Sequence, residues 1–190
     1  AVAGGIPAIK ILREGLAGNQ IETVAGILNG TCNYILSEMT SSNSAFLDVL
    51  KEAQHKGFAE ADTSFDIDGV DAAHKLAILS SIAFEQKIEF SSLSISGIRN
   101  VSDIDINYAA KLGYCLKLLG IAQRGGPAEV TMALISDDEQ LALVNGALNA
   151  VSYSGAPVQS SICIGPGAGA GPTSSAVLAD LIDISRGLAN

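Results

Sequence analysis

The chain has 190 residues, 48% of them hydrophobic, with 11 basic and 20 acidic side chains and a formal net charge of −9. This length and composition predict one globular domain with a real core, or one large part of a longer protein. The acidic balance argues against nucleic-acid binding, which needs clustered Lys and Arg, and no uncharged apolar run reaches the ~18 residues of a membrane span.

The first quarter of the chain predicts a helix, a strand and a second helix. Residues 7–15 begin with Pro and end with Gly, as short helices often do. Residues 20–28 are rich in β-formers between Gly/Asn pairs and predict a strand. Residues 29–31 (Asn-Gly-Thr) then predict a strand-to-helix turn with exposed backbone N–H groups. Thr31 is expected to cap the helix that follows, to about Met39.

Residues 44–55 predict an amphipathic helix that ends at Lys56 and Gly57. Residues 57–75 then form an acidic strip. Five carboxylates occupy residues 60–71, and one lysine, Lys75, follows. Apolar residues at 72, 76, 79 and 83 recur at helical spacing, which predicts a largely buried helix from residue 69 onward. The spacing of Asp68, Asp71 and Lys75 predicts that the three side chains share one face of that helix.

Several functions fit such a strip of charges. A lysine beside carboxylates on an apolar helix suits proton transfer, whereas the plain structural alternative is an Asp71–Lys75 helix pair of about 0.2–0.5 kcal/mol. An EF-hand is excluded by spacing, because the twelfth position counted from Asp62 is Ala73 rather than Glu. Glycosidase carboxylates are disfavoured, since the chain has no Trp and only 5% aromatic residues to line a sugar cleft.

The second half predicts a helix at residues 103–112 and a strand, turn and strand at residues 114–135, centred on the Arg-Gly-Gly-Pro of residues 124–127. Residues 143–152 fit a helix or a strand. Residues 162–164 predict a strand, followed by a glycine loop (residues 165–171) and a helix with Pro172 in its first turn that runs to about Ser185. This loop is either a flexible crossover or a segment whose backbone amides lie close to a phosphate or a nicotinamide.

Two further features bear on context. The glycine loop is not a complete dinucleotide fingerprint, because no second strand ending in an acid follows it. Any nucleotide is therefore expected to be held mainly by another domain. The three cysteines are odd in number and widely spaced, which fits small buried side chains in a reducing cytoplasm. The start at Ala1 rather than Met suggests a piece of a longer protein, with removal of an initiator Met before Ala as the alternative.

Together these segments resemble the catalytic, substrate-binding part of homoserine dehydrogenase. The family pattern is met by Ala53, Gly57, Asp62, Asp66-Ile67-Asp68-Gly69-Val70-Asp71 and Lys75. Residues 1–7, 26–36 and 165–173 support it, so the resemblance spans nearly the whole chain. Thr63 stands where the family usually has Pro, and the family's amino-terminal nucleotide-binding domain and the glutamate before residue 1 have no counterpart here.

The resemblance implies an α+β fold, a mixed sheet covered by helices, and a homodimer built through the sheet. Residues 1–164 would form the catalytic and dimerisation domain, and residues 165–190 would pack back on the nucleotide-binding domain that this chain lacks. The implied activity is the NAD(P)-dependent interconversion of L-homoserine and L-aspartate 4-semialdehyde, in threonine, methionine and isoleucine biosynthesis. By itself the chain would be nearly inactive. The alternative is a non-catalytic dimerisation or amino-acid-binding module of the same fold.

The resemblance also assigns roles to residues. Lys75 would be the proton donor to the aldehyde oxygen, and Glu60 and Asp71 would hold the substrate's α-ammonium and orient the lysine. The remaining assignments are Asp66 and Thr31 as further substrate-site residues, Gly57 and Gly169 beside the cofactor, and the backbone carbonyls of Val2, Gly4 and Ile6 around a sodium ion.

Overall fold

A computed structural model describes residues 2–187 as one six-stranded mixed sheet with seven α-helices. The strand order is β2-β4-β3-β1-β5-β6, and every neighbouring pair is antiparallel except β2 and β4. The strands are β1 (Gln20–Ile27), β2 (Ser94–Ile95), β3 (Tyr114–Gln123), β4 (Ala128–Ser136), β5 (Leu148–Ala156) and β6 (Gln159–Pro166). The predicted α+β class with a mixed sheet is confirmed.

The seven α-helices of residues 2–187 lie before, between and after these strands in the chain. They are α1 (Ala8–Lys10, continued by a π-helical turn at Ile11–Gly15), α2 (Gly30–Ser42), α3 (Phe46–His55), α4 (Ser64–Ile67), α5 (Val70–Phe84), α6 (Asp103–Lys111) and α7 (Ala170–Ser185). Within residues 2–187, no helix is both long and apolar enough to cross a membrane.

The ambiguous segment at residues 143–152 divides into two parts. Turns occupy its start, and β5 begins at Leu148 and lies between β1 and β6. Strand β6 starts three residues earlier than predicted, because residues 159–161 pair with residues 153–155 of β5. The predicted pair of strands around residues 124–127 is confirmed by the β3–β4 ladder.

The sheet carries apolar side chains on both faces, as alternation along β3 shows. Leu118 and Ala122 belong to the main core, which α2 and α5 cover, whereas Leu119 belongs to a second cluster. Helix α5 supplies the centre of the main core through fully buried Leu76 and Leu79. The second cluster lies against the segment between β4 and β5, which contributes Ala142 and Val144.

A buried lysine, Lys117, lies on β3 among neutral acceptors. Its side chain is 2% exposed, and its Nζ donates to the Val144 carbonyl (2.6 Å), the Asn145 Oδ1 (3.0 Å) and the Asn33 Oδ1 (3.3 Å). Among residues 2–187 no carboxylate pairs with it. Burial therefore lowers the pKa of Lys117 below its usual value of 10.5.

We expect this lysine to make the stability of the domain rise with pH just below pH 10.5. Because burial lowers the pKa in the folded state, the unfolded chain binds more protons over that window, and raising the pH relieves the folded state of the buried charge. Urea unfolding from pH 7 to pH 10 should therefore show wild type gaining free energy of unfolding relative to Lys117→Met. Exposed Lys51→Met on α3 is the control, and parallel pH curves for wild type and Lys117→Met would contradict the prediction.

Candidate active site

The centre of the site is an ion pair on the first turns of α5. Gly69, at φ +84°, is the residue before the helix, so the chain leaves α4 and enters α5 through a left-handed backbone that favours glycine. Lys75 Nζ donates to Asp71 Oδ2 at 2.6 Å and to the Leu28 carbonyl at 3.0 Å. Both charged side chains are 21% exposed, so the pair is partly shielded from water and still accessible.

Asn29 joins this pair to a second carboxylate. Its Nδ2 donates to Asp71 Oδ2 (2.8 Å) and to Asp66 Oδ1 (2.7 Å), while its Oδ1 accepts from the Cys32 backbone N–H (2.8 Å). The last bond makes Asn29 the cap of α2. A continuous chain of hydrogen bonds thus runs from Asp66 through Asn29 and Asp71 to Lys75. The sequence pattern did not mark Asn29 as a site residue, although Asn is among the most favoured capping residues.

Two local predictions are wrong. Asp68 does not share a face with Asp71 and Lys75, because it ends α4 before Gly69 turns the chain, and its carboxylate binds Arg99 through two 2.7 Å hydrogen bonds. The Arg99 guanidinium lowers the pKa of the Asp68 carboxyl. Thr31 does not cap α2, since Asn29 does. The Thr31 Oγ1 instead donates to the Phe58 carbonyl at 3.1 Å.

The contacts of Thr31 and its neighbours fix the segment that carries Gly57 and Glu60. Besides the Thr31 bond, the Phe58 ring stacks on Tyr34 of α2 with a centroid distance of 4.4 Å. Gly57 lies at φ +77° in the turn after α3, and the space where a side chain would begin is open. Glu60 is exposed. No hydrogen bond or ion pair between described residues connects the Glu60 carboxylate to the hydrogen-bonded chain that ends at Lys75.

The start of α2 presents free backbone donors beside these groups. Within residues 2–187, the N–H groups of Gly30 and Thr31 donate to no acceptor, and both residues are partly exposed. Free N–H groups at the N-terminus of a 13-residue helix favour an anion, because the helix dipole adds to their partial positive charge. The predicted exposure of N–H groups in this turn is confirmed.

A cavity of about 650 Å³ opens beside Lys75. The turn at residues 2–10 and the inner side of α7 form most of its wall, together with Gly167 and Ala168 of the glycine loop. The Gly5 N–H donates to the Pro166 carbonyl at 3.0 Å, and a Cβ added at Gly4 would lie 2.3 Å from the Gly167 carbonyl oxygen. The amino-terminal turn and the glycine loop therefore pack backbone against backbone at this wall.

The remaining predicted residues lie along the same wall or next to it. Val2, Gly4 and Ile6 line the cavity, and among the described residues the carbonyls of Val2 and Gly4 accept no hydrogen bond, whereas that of Ile6 accepts one from the Ala8 N–H. Gly169 immediately precedes α7 at φ +111°. The structure thus gathers Asp66, Asp71 and Lys75 into one network and places the amino-terminal turn on the cavity that Lys75 borders.

Cys32 lies beneath this network as a buried thiol. Its Sγ donates to the Asp66 carbonyl at 3.2 Å. Burial, and then the negative charges of Asp66 and Asp71, raise the pKa of the Cys32 thiol. It is therefore a protonated packing group at neutral pH and not a nucleophile.

Fold and site together define an α+β domain with an acid–base pair at the wall of a cavity. A family model described as homoserine dehydrogenase matches residues 7–182. The chain is 52% identical over 189 residues to a homoserine dehydrogenase of Neisseria gonorrhoeae, covering 98% of this chain and 43% of the relative. It is 51% identical to one of Pseudomonas aeruginosa, covering 99% of this chain and 44% of the relative. The chain therefore belongs to the homoserine dehydrogenase family.

Solved structures agree with this assignment. A homoserine dehydrogenase from Thiobacillus denitrificans superposes with a TM-score of 0.95 at 53% identity, over 98% of this chain and 44% of the other. A hyperthermophilic archaeal homoserine dehydrogenase in complex with NADPH superposes with a TM-score of 0.86 at 31% identity, over all of this chain and 55% of the other. This chain spans less than half the length of the curated relatives described above.

Proposed function

We propose that this chain is the substrate-binding and catalytic part of a homoserine dehydrogenase that interconverts L-homoserine and L-aspartate 4-semialdehyde. The observation that carries the proposal is the Lys75–Asp71 pair at the cavity wall, held by Asn29 and flanked by the free N–H groups of Gly30 and Thr31. These groups offer an acid, carboxylates and an anion site, which together suit a zwitterionic amino acid.

The substrate would lie between the start of α2 and the start of α5. Its carboxylate would bind the N–H groups of Gly30 and Thr31, since no protein acceptor competes for them. Its α-ammonium would bind Glu60 and Asp71. Asp66 would act through Asn29, which it holds at 2.7 Å, to keep the Asp71 carboxylate in place.

Lys75 would supply and recover the proton. In the reducing direction, hydride addition turns the aldehyde oxygen into an alkoxide, and the Lys75 ammonium would protonate that oxygen. In the oxidising direction the neutral amine would take the hydroxyl proton. The Leu28 carbonyl, at 3.0 Å from Nζ, restricts the ammonium to one position, so its third donor is free for the substrate.

The hydride would come from NAD(P)H, which supplies the redox chemistry when it is bound. The residues present fit one face of such a cofactor. Gly57 and Gly169 have no side chain to obstruct a flat ring, and the space at Gly57 is open. Within the described part of the chain, the backbone N–H groups of residues 167–169 donate to no acceptor. The groups that distinguish NAD from NADP would belong to the nucleotide-binding domain.

A sodium ion is a second proposed ligand. The carbonyls of Val2 and Gly4 are free to bind a hard cation, and Ile6 offers a remaining lone pair. Three neutral carbonyls are a sparse ligand set, so we expect weak binding in this chain alone.

We further propose that residues 1–164 form the catalytic and dimerisation unit of a cytoplasmic homodimer, and that residues 165–190 pack against a nucleotide-binding domain. Helix α7 supports this division, because none of its described residues is buried and four apolar ones are more than half exposed: Val177, Leu178, Leu181 and Ile184. The ion pair between Lys10 and Asp183 ties the helix to the amino-terminal segment.

The test is an assay of homoserine oxidation with NADP⁺ and of semialdehyde reduction with NADPH. A full-length chain that joins these residues to an upstream strand and Gly-x-Gly-x-x-Gly should catalyse both. The 190-residue chain alone should be slower by a factor of at least ~10³, because the cofactor is no longer held against the substrate. A full-length protein with no homoserine-dependent turnover would refute the proposed enzymatic activity and favour a non-catalytic amino-acid-binding module.

A further inference from the structure

Asn149 is a buried polar residue that the proposed chemistry does not use. It lies in β5 opposite Gly165 of β6 and is 1% exposed. Its Oδ1 is buried and accepts no hydrogen bond from residues 2–187, the one side-chain atom of that kind in the described structure. Leaving a buried carbonyl oxygen unpaired is costly, so such an atom requires an explanation.

The side chain of Asn149 separates the two halves of the site. A Cβ added at Gly167 would lie 2.2 Å from the Asn149 Cγ, so only glycine allows the loop to rest on this carboxamide. On the other side, a Cβ added at Gly30 would lie 3.3 Å from the Asn149 Oδ1 and 2.8 Å from the Ala147 carbonyl. Asn149 therefore lies between the first residue of α2 and the glycine loop.

The glycine loop offers a source of the missing donor. The N–H groups of Gly167, Ala168 and Gly169 are unpaired among the described residues, and Gly167 is already in contact with the carboxamide. An N–H of this glycine-rich segment would donate to the Oδ1 only after rotation of a peptide. Since Gly167 and Ala168 also line the cavity beside Lys75, a ligand in that cavity can select the rotated arrangement.

We propose that Asn149 is a positioning residue for the glycine loop, whose backbone donates a hydrogen bond to the Asn149 Oδ1 when a nicotinamide dinucleotide binds. The bond fixes the loop at a set distance from the start of α2 and so aligns the cofactor with the substrate. This inference rests on the proposed function, because it requires that such a cofactor occupies the cavity.

The test uses the full-length chain and NADPH, with amide hydrogen exchange measured on peptides that cover residues 164–171. In wild type, NADPH should slow exchange in this loop by about tenfold or more, as expected for one buried hydrogen bond. Asn149→Leu keeps the approximate shape without an acceptor. It should lose this extra protection and bind NADPH about tenfold more weakly, with the KM for homoserine within about twofold.

Two comparison variants separate positioning from general damage. Asn149→Asp keeps an acceptor oxygen and should restore most of the protection, whereas exposed Asn107→Leu on α6 should behave as wild type. Wild-type protein that binds NADPH without added protection of the loop would overturn this inference and leave the proposed function standing, and would indicate that an internal water satisfies the oxygen. Wild-type protein that binds no NADPH would overturn the proposed function as well.

Discussion

Lys75→Ala in the full-length chain should lower kcat by about 10²–10⁴-fold, the usual contribution of a positioned general acid, while the KM for homoserine changes little. The reason is geometric. The variant removes the ammonium but leaves Asp71 bonded to Asn29, so the carboxylates that would bind the substrate keep their places. Steady-state kinetics in both directions measures the effect.

The same experiment distinguishes a catalytic role of Lys75 from a purely structural ion pair with Asp71 on α5. If Lys75 and Asp71 were only an i,i+4 pair, the variant would cost about 0.2–0.5 kcal/mol of stability and leave kcat intact. Lys87→Ala removes an exposed ion pair with Glu89 and serves as the control for loss of a positive charge. A fall in kcat of less than about tenfold for Lys75→Ala would show that Lys75 is not the proton donor.

Glu60 supplies the contrasting case. Its carboxylate is exposed and makes no bond to the Asp66–Asn29–Asp71–Lys75 chain within the described structure, so Glu60→Ala cannot disturb the lysine through the protein. Its effect should therefore appear chiefly as a higher KM for homoserine. Equal, small effects of the Lys75 and Glu60 variants would favour a non-catalytic module.

Local sequence predicts the helices and strands whose pattern of apolar residues continues without interruption. Helix α5 falls where the spacing places it, because burial of one face sets that spacing. The β3–β4 ladder falls where two apolar runs flank the turn at residues 124–127. The position of Asp68 was wrong for the converse reason. The prediction extended the helical spacing back across Gly69 to Asp68, whereas Gly69 at φ +84° separates α4 from α5.

The centre of the site depends on contacts that no spacing encodes. Asn29 reaches Asp66 and Asp71 across 37 and 42 residues of sequence, and Lys117 reaches Asn33 across 84. The motif that marks the family contains Asp66, Asp71 and Lys75, so the resemblance identified the charged groups. Only the folded chain shows that an amide from the end of β1 joins them.

Asn29→Asp should therefore be nearly as damaging as loss of the lysine, with kcat reduced by roughly 10²-fold. The change replaces the Nδ2 donor by an oxygen and places a third carboxylate within hydrogen-bond distance of two others. Two attractive bonds of 2.7 and 2.8 Å become repulsions, which should displace Asp71 and the lysine that it holds. An aspartate at position 29 still accepts from the Cys32 N–H, so the cap of α2 is retained.

That retained cap is what makes the variant informative. Asn29→Ala loses both the donor and the cap, so it should lower the free energy of unfolding by about 1 kcal/mol in addition to its kinetic effect. Asn107→Asp likewise replaces an Nδ2 donor, which bonds the Asn43 Oδ1 at 2.8 Å in an exposed position, and it should leave kcat unchanged. If Asn29→Asp kept wild-type kcat, the network would not control the lysine. If it lost activity only by unfolding, denaturant midpoints would fall with kcat, and the role of Asn29 would be confined to holding the start of α2.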